Sequence, residues 1–94
     1  MLNLSNNQIE IIENLSGLIS LVELNLRKNK IHTIVELTGL NSLQKLYLSH
    51  NNISHLDNVK GEYLPSLSDL TLENNPIEKI TRFHATIKEK FPTV

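Results

Sequence analysis

Apolar and polar residues alternate in four short segments of the chain, each built on a Leu-x-Leu core. The segments begin at Leu2, Leu24, Leu46 and Leu70, so the steps between them are 22, 22 and 24 residues. A period of two is typical of a short strand with one buried face. Further apolar residues recur between the segments at the same spacing. The pattern therefore predicts four copies of one structural unit.

An asparagine follows each Leu-x-Leu segment at a constant distance. These residues are Asn7, Asn29, Asn51 and Asn75. A buried amide at the end of a strand can pair with backbone groups of its own turn and of the next turn. We therefore predict a structural ladder of asparagines. The alternative, a ligand site made of the same four side chains, is disfavoured.

The repeat length indicates an α/β repeat solenoid. One repeat cannot bury its apolar face alone, so the repeats must stack, with short parallel strands on one face and the returning segments packed beneath them. We predict a single domain over 1–94 with repeats at about 1–20, 21–42, 43–66 and 67–80. The third repeat carries two extra residues, which lie within 60–63 and should bulge without breaking the sheet.

The last part of the chain follows a different pattern. Ile80, Phe83, Ile87 and Phe91 recur at spacings of three and four residues. This stripe predicts an amphipathic helix over about 81–90 that stops before Pro92. A helix with a polar outer side would cover the open end of the core, so we assign residues 81–94 to a C-terminal cap.

The repeated LxxLxLxxNxI motif resembles the leucine-rich repeat. The 22-residue spacing is similar to the intracellular class typified by the leucine-rich regulatory subunit of protein phosphatase 1, and this resemblance covers essentially the whole chain. The segments 24–27 and 66–71, with 75–77, also look similar to the leucine-rich subunit of tubulin polyglutamylase complexes. The resemblance implies a right-handed superhelix with concave parallel strands and a C-terminal capping helix.

In such solenoids the outward positions of the strands line the concave face. Tyr47 is the large aromatic residue among them and lies near Arg27, and these two residue types are enriched at interface hot spots. The alternative is a solvated Tyr47 that covers the aliphatic stems of its neighbours. We expect a protein partner to bind the outward positions Glu23, Asn25, Arg27, Lys45, Tyr47, Ser49, His50, Asp69, Thr71 and Glu73.

The first repeat has no polar segment before it, although solenoids need polar ends. Its apolar residues should form an uncovered edge beside a free strand. We favour a fragment of a longer repeat protein over an edge covered by a partner or by a second copy. We expect self-association through this edge where nothing else covers it. The edge residues are Leu2, Leu4, Ile9, Ile12, Leu15 and Leu18.

Composition and charge exclude several other functions. The net charge of −1 and the sparse lysine pairs give no track for direct nucleic-acid binding. The chain has no Cys, no apolar run long enough for a membrane span and no visible signal peptide, so we expect a cytoplasmic protein, with cytoskeletal, ciliary or nuclear sites as alternatives. His32 and His55 could approach each other, but a third metal ligand is missing. We expect neither a cofactor nor catalytic residues, and thus not an enzyme.

Two functions remain. The first is a non-catalytic module for protein–protein interaction within a larger regulatory or scaffold protein, with ciliary and microtubule-associated subunits among the relatives that the resemblance implies. The alternative is a ribonucleoprotein-associated module that holds an RNA-binding protein, because small proteins of similar repeat length resemble this chain. Near-neutral charge argues against direct RNA contact but permits that indirect role.

Overall fold

The computed structural model describes residues 1–15, 17–34, 37–57, 59, 61–79 and 83–94. Short strands dominate the first three quarters of the chain, and one α-helix follows them. In chain order the elements are β1 (Leu2–Asn3), β2 (Ile11–Ile12), β3 (Glu23–Asn25), β4 (Thr33–Ile34), β5 (Lys45–Tyr47), a 3₁₀ turn at Gly61–Tyr63, β6 (Asp69–Thr71), a 3₁₀ turn at Pro76–Lys79 and α1 (Phe83–Lys90).

Four of these strands form one parallel sheet in the order β1-β3-β5-β6. The strand register follows the sequence repeat, because Leu24 pairs with Leu2 on one side and with Leu46 on the other. Leu46 in turn pairs with Leu70, across the longer third repeat. The predicted solenoid of stacked parallel strands is therefore confirmed, and the two extra residues leave the sheet register intact.

A second, two-stranded parallel sheet joins β2 to β4, and the sequence pattern did not predict it. Ile12 pairs with Ile34, again 22 residues further along the chain. The backbone N–H of His32 donates to the Glu10 carbonyl oxygen at 3.0 Å. This pairing covers Ile12, which is only 2% exposed. The expectation that Ile12 lies at an uncovered edge is therefore wrong.

The core fills the space between the two faces of the stack. Its best covered members come from the second and third repeats and the start of the fourth, where each unit has a neighbour on both sides. The side chains with less than 2% exposure are Leu24, Ile31, Leu37, Leu40, Leu43, Leu46, Leu48, Ile53 and Leu67.

The C-terminal segment packs over the fourth repeat. Helix α1 ends at Lys90, before Pro92, as the sequence pattern predicts. Phe91 is buried in the core, whereas Phe83 and Ile87 are half-buried against it. The beginning of the predicted helix at 81–82, and Ile80 before it, lie outside the described residues. The described apolar residues of the stripe, Phe83, Ile87 and Phe91, thus cover the last repeat.

The insertion in the third repeat has a definite place in this packing. Its described part, Gly61–Tyr63, forms a 3₁₀ turn that lies against the end of α1. A Cβ atom at Gly61 would overlap the carbonyl oxygen of Lys90. The turn in the longer third repeat therefore contacts the end of the capping helix. A side chain at Gly61 would push the turn and the helix apart.

Candidate binding face

The asparagines at the ends of the strands tie successive repeats together. The Asn29 amide donates to the carbonyl oxygens of Leu26 and Arg27 in its own turn, at 3.0 and 3.2 Å. It also donates to the Leu4 carbonyl of the preceding repeat at 3.0 Å. Its own oxygen accepts the Ile9 N–H at 3.1 Å. One side chain thus satisfies four backbone groups of two repeats.

Asn51 and Asn75 repeat this arrangement. The oxygen of Asn51 accepts from the Ile31 N–H, and that of Asn75 accepts from the Ile53 N–H, both at 3.0 Å. Within the described part of the chain, no buried side-chain nitrogen or oxygen lacks a hydrogen-bond partner. These asparagines hold the turns that follow the strands, and they offer no free group to a ligand.

The residue before each of these asparagines adopts a left-handed backbone conformation. The φ angles are 58° at Asn6, 58° at Lys28, 59° at His50 and 61° at Asn74. Asparagine and histidine enter that region more readily than other residues with a side chain, so Lys28 is the strained residue of the four. The sequence pattern places His50 on the binding face but does not reveal the backbone conformation at these four positions.

The expected binding residues divide by exposure. His50, Asp69 and Glu73 are exposed, whereas Glu23, Arg27, Lys45, Tyr47 and Thr71 are half-buried along the strands. Two of the expected binding residues are buried instead. Asn25 and Ser49 are each only 8% exposed and offer little surface to a partner.

Asn25 instead shapes the end of β3. Its side-chain oxygen accepts the Arg27 N–H at 3.1 Å, and Asn3 does the same for the Ser5 N–H at 3.0 Å. The oxygen of Thr71 also turns inward, since it accepts the Leu48 N–H at 3.2 Å. These side chains support the backbone of the face rather than projecting from it.

Arg27 and Tyr47 come together at the centre of the face. The Arg27 guanidinium carbon lies 4.1 Å from the centroid of the Tyr47 ring. Beside them the Lys45 ammonium lies 3.7 Å from a Glu23 carboxylate oxygen. Stacking on an aromatic face holds a guanidinium plane in one orientation and leaves its N–H edge open. The face therefore presents an ordered aromatic and cationic centre on paired strands.

Apolar surface is found at both ends of the described stack of repeats, and only the N-terminal one is expected from the sequence. Met1, Ile11, Leu18, Ile19 and Val22 are the exposed large apolar residues among those described, and all belong to the first 22 positions. The repeat columns point to Leu18 but not to the others, because Ile11, Ile19 and Val22 fall between columns. A cavity of about 530 Å³ also opens between β6 and α1, lined mainly by Leu70, Leu72, Phe83, Ile87 and Val94.

Two of the histidines lie beside carboxylates. Nε2 of His32 lies 3.5 Å from a Glu10 carboxylate oxygen, and Nδ1 of His55 lies 3.7 Å from Asp57. Among the described residues, no group of three His, Cys, Asp or Glu side chains could hold a metal ion. No helix in the described ranges has the length and apolar character needed to cross a membrane.

Comparisons with known proteins agree with this architecture. A leucine rich repeat family matches residues 36–77, and a second leucine rich repeat family matches residues 1–18. A chain in the crystal structure of the Drosophila melanogaster SNF/U2A' complex is similar, with a TM-score of 0.83 and 27% sequence identity. The similarity covers 98% of this chain and 55% of that chain, so the present chain spans about half its length. No curated protein matches the sequence.

Proposed function

We propose that the concave face of this leucine-rich repeat solenoid binds another protein and catalyses no reaction. The observation that carries this proposal is the stacked pair of Arg27 and Tyr47 at the centre of the four-stranded sheet. Arginine and tyrosine are enriched among the residues that contribute most to protein binding. Because β5 holds Tyr47 and the Arg27 N–H is bonded to the Asn25 side chain, little further ordering is needed when a partner binds.

The test is an affinity capture with three forms of the chain. These are the parent, a variant with Arg27→Ala and Tyr47→Ala, and a control with His55→Ala and Lys79→Ala at exposed positions outside the face. We expect the first variant to lose a protein that the parent and the control retain, with binding at least about tenfold weaker when measured on the purified partner. Circular dichroism would show that all three are folded. Equal retention by all forms would place the binding surface elsewhere.

A second candidate is a module that holds an RNA-binding protein within a ribonucleoprotein. The similarity to a chain of the SNF/U2A' complex favours this candidate, because that chain covers nearly all of the present one. Capture before and after ribonuclease treatment would test it. An RNA-binding partner that remains bound after treatment, while the chain alone binds no RNA at low salt, would support the indirect role. If the captured partner carries no RNA in the capture before ribonuclease treatment or in the one after it, the ribonucleoprotein role is rejected.

We also propose that the chain self-associates where its N-terminal edge is not otherwise covered. The support is the concentration of exposed apolar side chains in the first 22 residues, beside β1, which pairs on one side only among the described strands. Light scattering over a range of concentrations would measure this. We expect Ile19→Lys to favour the monomer and Glu62→Lys, a control in the third repeat, to leave the assembly unchanged. A parent that remains monomeric at high concentration would contradict the proposal.

The wider setting of the module is a further part of the proposal. A role within a larger regulatory or scaffold protein of the cytoplasm is consistent with the 22-residue spacing, which resembles that of the phosphatase 1 regulatory subunit, and with the longer neighbour in the solved complex. Ciliary or microtubule-associated proteins are one such setting. Fluorescence imaging of the tagged full-length protein would test the location, and a purely nuclear signal would favour the second candidate instead.

A further inference from the structure

The Arg27 guanidinium is held in place but has no acceptor. Among the described residues, it forms no ion pair and its nitrogens donate no hydrogen bond, while its face rests on the Tyr47 ring. A guanidinium presents five donors in a planar fork that matches the two oxygens of a carboxylate. Within the described part of the chain, those donors are not taken up by any acceptor.

The backbone beneath Arg27 is also fixed. Its N–H donates to the buried side-chain oxygen of Asn25 at 3.1 Å, and its carbonyl oxygen accepts the Asn6 N–H at 3.0 Å. These bonds and the contact with Tyr47 order the side chain before any partner arrives. An arginine ordered in this way loses less conformational entropy on binding than a mobile surface cation does.

The nearest other charges define a direction across the face. Lys45 is already paired with Glu23, whereas Arg27 has no acidic partner among the described residues. On the far strand, the carboxylates of Asp69 and Glu73 are exposed and, within the described ranges, form no ion pair. Arg27 and Glu73 occupy equivalent positions with the small, buried Ser49 between them, so they lie two strand spacings apart, or about 10 Å.

We infer that Arg27 binds an aspartate or glutamate side chain of the protein partner through a bidentate contact, and that Glu73 binds a lysine or arginine of the same partner about 10 Å away. This inference rests on the proposed function of the concave face. A carboxylate fits better than a phosphate, because Asp69 and Glu73 would repel a doubly charged group and the chain carries a net charge of −1. The pair of contacts would set the orientation of the partner.

The first experiment uses a random peptide library displayed on phage and selected on the immobilised chain. We expect the selected peptides to carry one acidic and one basic residue in a constant order. A variant with Arg27→Glu and Glu73→Arg should select the opposite order. Selection of unrelated sequences by the two forms, or of peptides without an acidic residue, would overturn the inference.

The second experiment measures one parent-selected peptide in solution. Arg27→Gln should weaken its binding roughly tenfold, and replacing the peptide's acidic residue by its amide should have the same effect. The two changes together should weaken it no further, because each removes the same contact. Arg27→Lys should restore little, since an ammonium lacks the fork. Additive losses, or tighter binding of a phosphoserine version, would overturn the carboxylate assignment.

These outcomes separate the inference from the proposed function. If peptide binding depends on Tyr47 but not on the charge of Arg27, the proposed concave binding face is retained and the carboxylate contact is rejected. A library from which no peptide is selected would count against both. Circular dichroism of every variant would show that a lost contact does not reflect an unfolded chain.

Discussion

The two ends of the solenoid carry the same motif in different surroundings. At the C-terminal end, Asn75 is 3% exposed and connects its own turn to the carbonyl of Leu48 and the N–H of Ile53 in the third repeat. At the N-terminal end, Asn7 is exposed and donates only within its own turn, to the carbonyls of Leu4 and Ser5. The same residue is thus a link between repeats only where a neighbour supplies the second set of backbone groups.

Apolar residues show the same contrast. Leu18 remains 38% exposed, whereas Leu40 and Leu64, its counterparts in the next two repeats, are 0% and 2% exposed. Nothing in the residue type distinguishes the three. The interface between repeats does, because solenoid stability comes largely from contacts between nearest neighbours. The substitutions below compare positions that differ in how neighbouring residues surround them.

The largest effect should come from the central core. Leu48→Ala removes a side chain that is 1% exposed and should reduce the free energy of unfolding by about 2–5 kcal/mol, since the transfer energy and the cavity both contribute. Leu18→Ala at the open edge should cost less than about 1 kcal/mol. Urea unfolding followed by circular dichroism measures both. Equal losses would mean that the first repeat is packed as tightly as the third.

The asparagine ladder should give the next largest difference. Asn75→Ala leaves the Ile53 N–H and the Leu72 carbonyl without this partner, while the Leu48 carbonyl keeps only its bond from Asn51, and should cost about 2–3 kcal/mol. Asn7→Ala should cost less than about 1 kcal/mol, because water replaces its bonds at an exposed turn. The midpoints of urea unfolding would compare the two. A larger loss at Asn7 would contradict the dependence on a neighbouring repeat.

Two glycines in the same repeat column provide a third comparison. Gly61→Ala would force a methyl group against the Lys90 carbonyl and should destabilise the chain by about 1–3 kcal/mol while loosening the cap. A Cβ at Gly17 meets nothing within 4 Å, so Gly17→Ala should change the stability by less than about 1 kcal/mol. Thermal melts measure the stability, and amide exchange in α1 reports on the cap. Normal protection of α1 in Gly61→Ala would show that the cap tolerates the methyl group.

The smallest effect concerns the strained turns. Asparagine occupies the left-handed position in the first and last repeats, whereas Lys28 occupies it in the second. Lys28→Asn should therefore stabilise the chain by about 0.5–1 kcal/mol, because asparagine enters this backbone region more easily. Lys30→Asn, at an exposed position without a positive φ, is the control and should change little. Differential scanning calorimetry would detect the gain, and no gain would mean that the lysine conformation carries no strain.

Much of the fold follows directly from the repeat. The constant spacing of Leu24, Leu46 and Leu70 predicts parallel neighbours in register, and the alternation around them predicts which face is buried. The spacing of Phe83, Ile87 and Phe91 predicts the capping helix and its end. These features depend on periodicity alone, and each repeat reinforces the same prediction because its neighbours present the same pattern.

The candidate site could be predicted only in part. Outward positions on the strands follow from alternation, so Tyr47 and Arg27 are identified as neighbours. Their stacking depends on side-chain conformation, which strand spacing does not determine. Burial of Asn25 and Ser49 could not be predicted either, because it depends on how the residues on adjacent strands lie over them.

The amino-acid sequence by itself determined that four equivalent units stack in parallel, which columns face inward and where the helical cap ends, since these features depend on spacing and residue type. Only the tertiary structure decided that β2 and β4 form a second sheet that covers Ile12, that Gly61 lies against the end of α1, and that the Arg27 guanidinium lies over the Tyr47 ring. Each of these depends on contacts between residues distant in the chain, and such contacts form only when the repeats pack against one another.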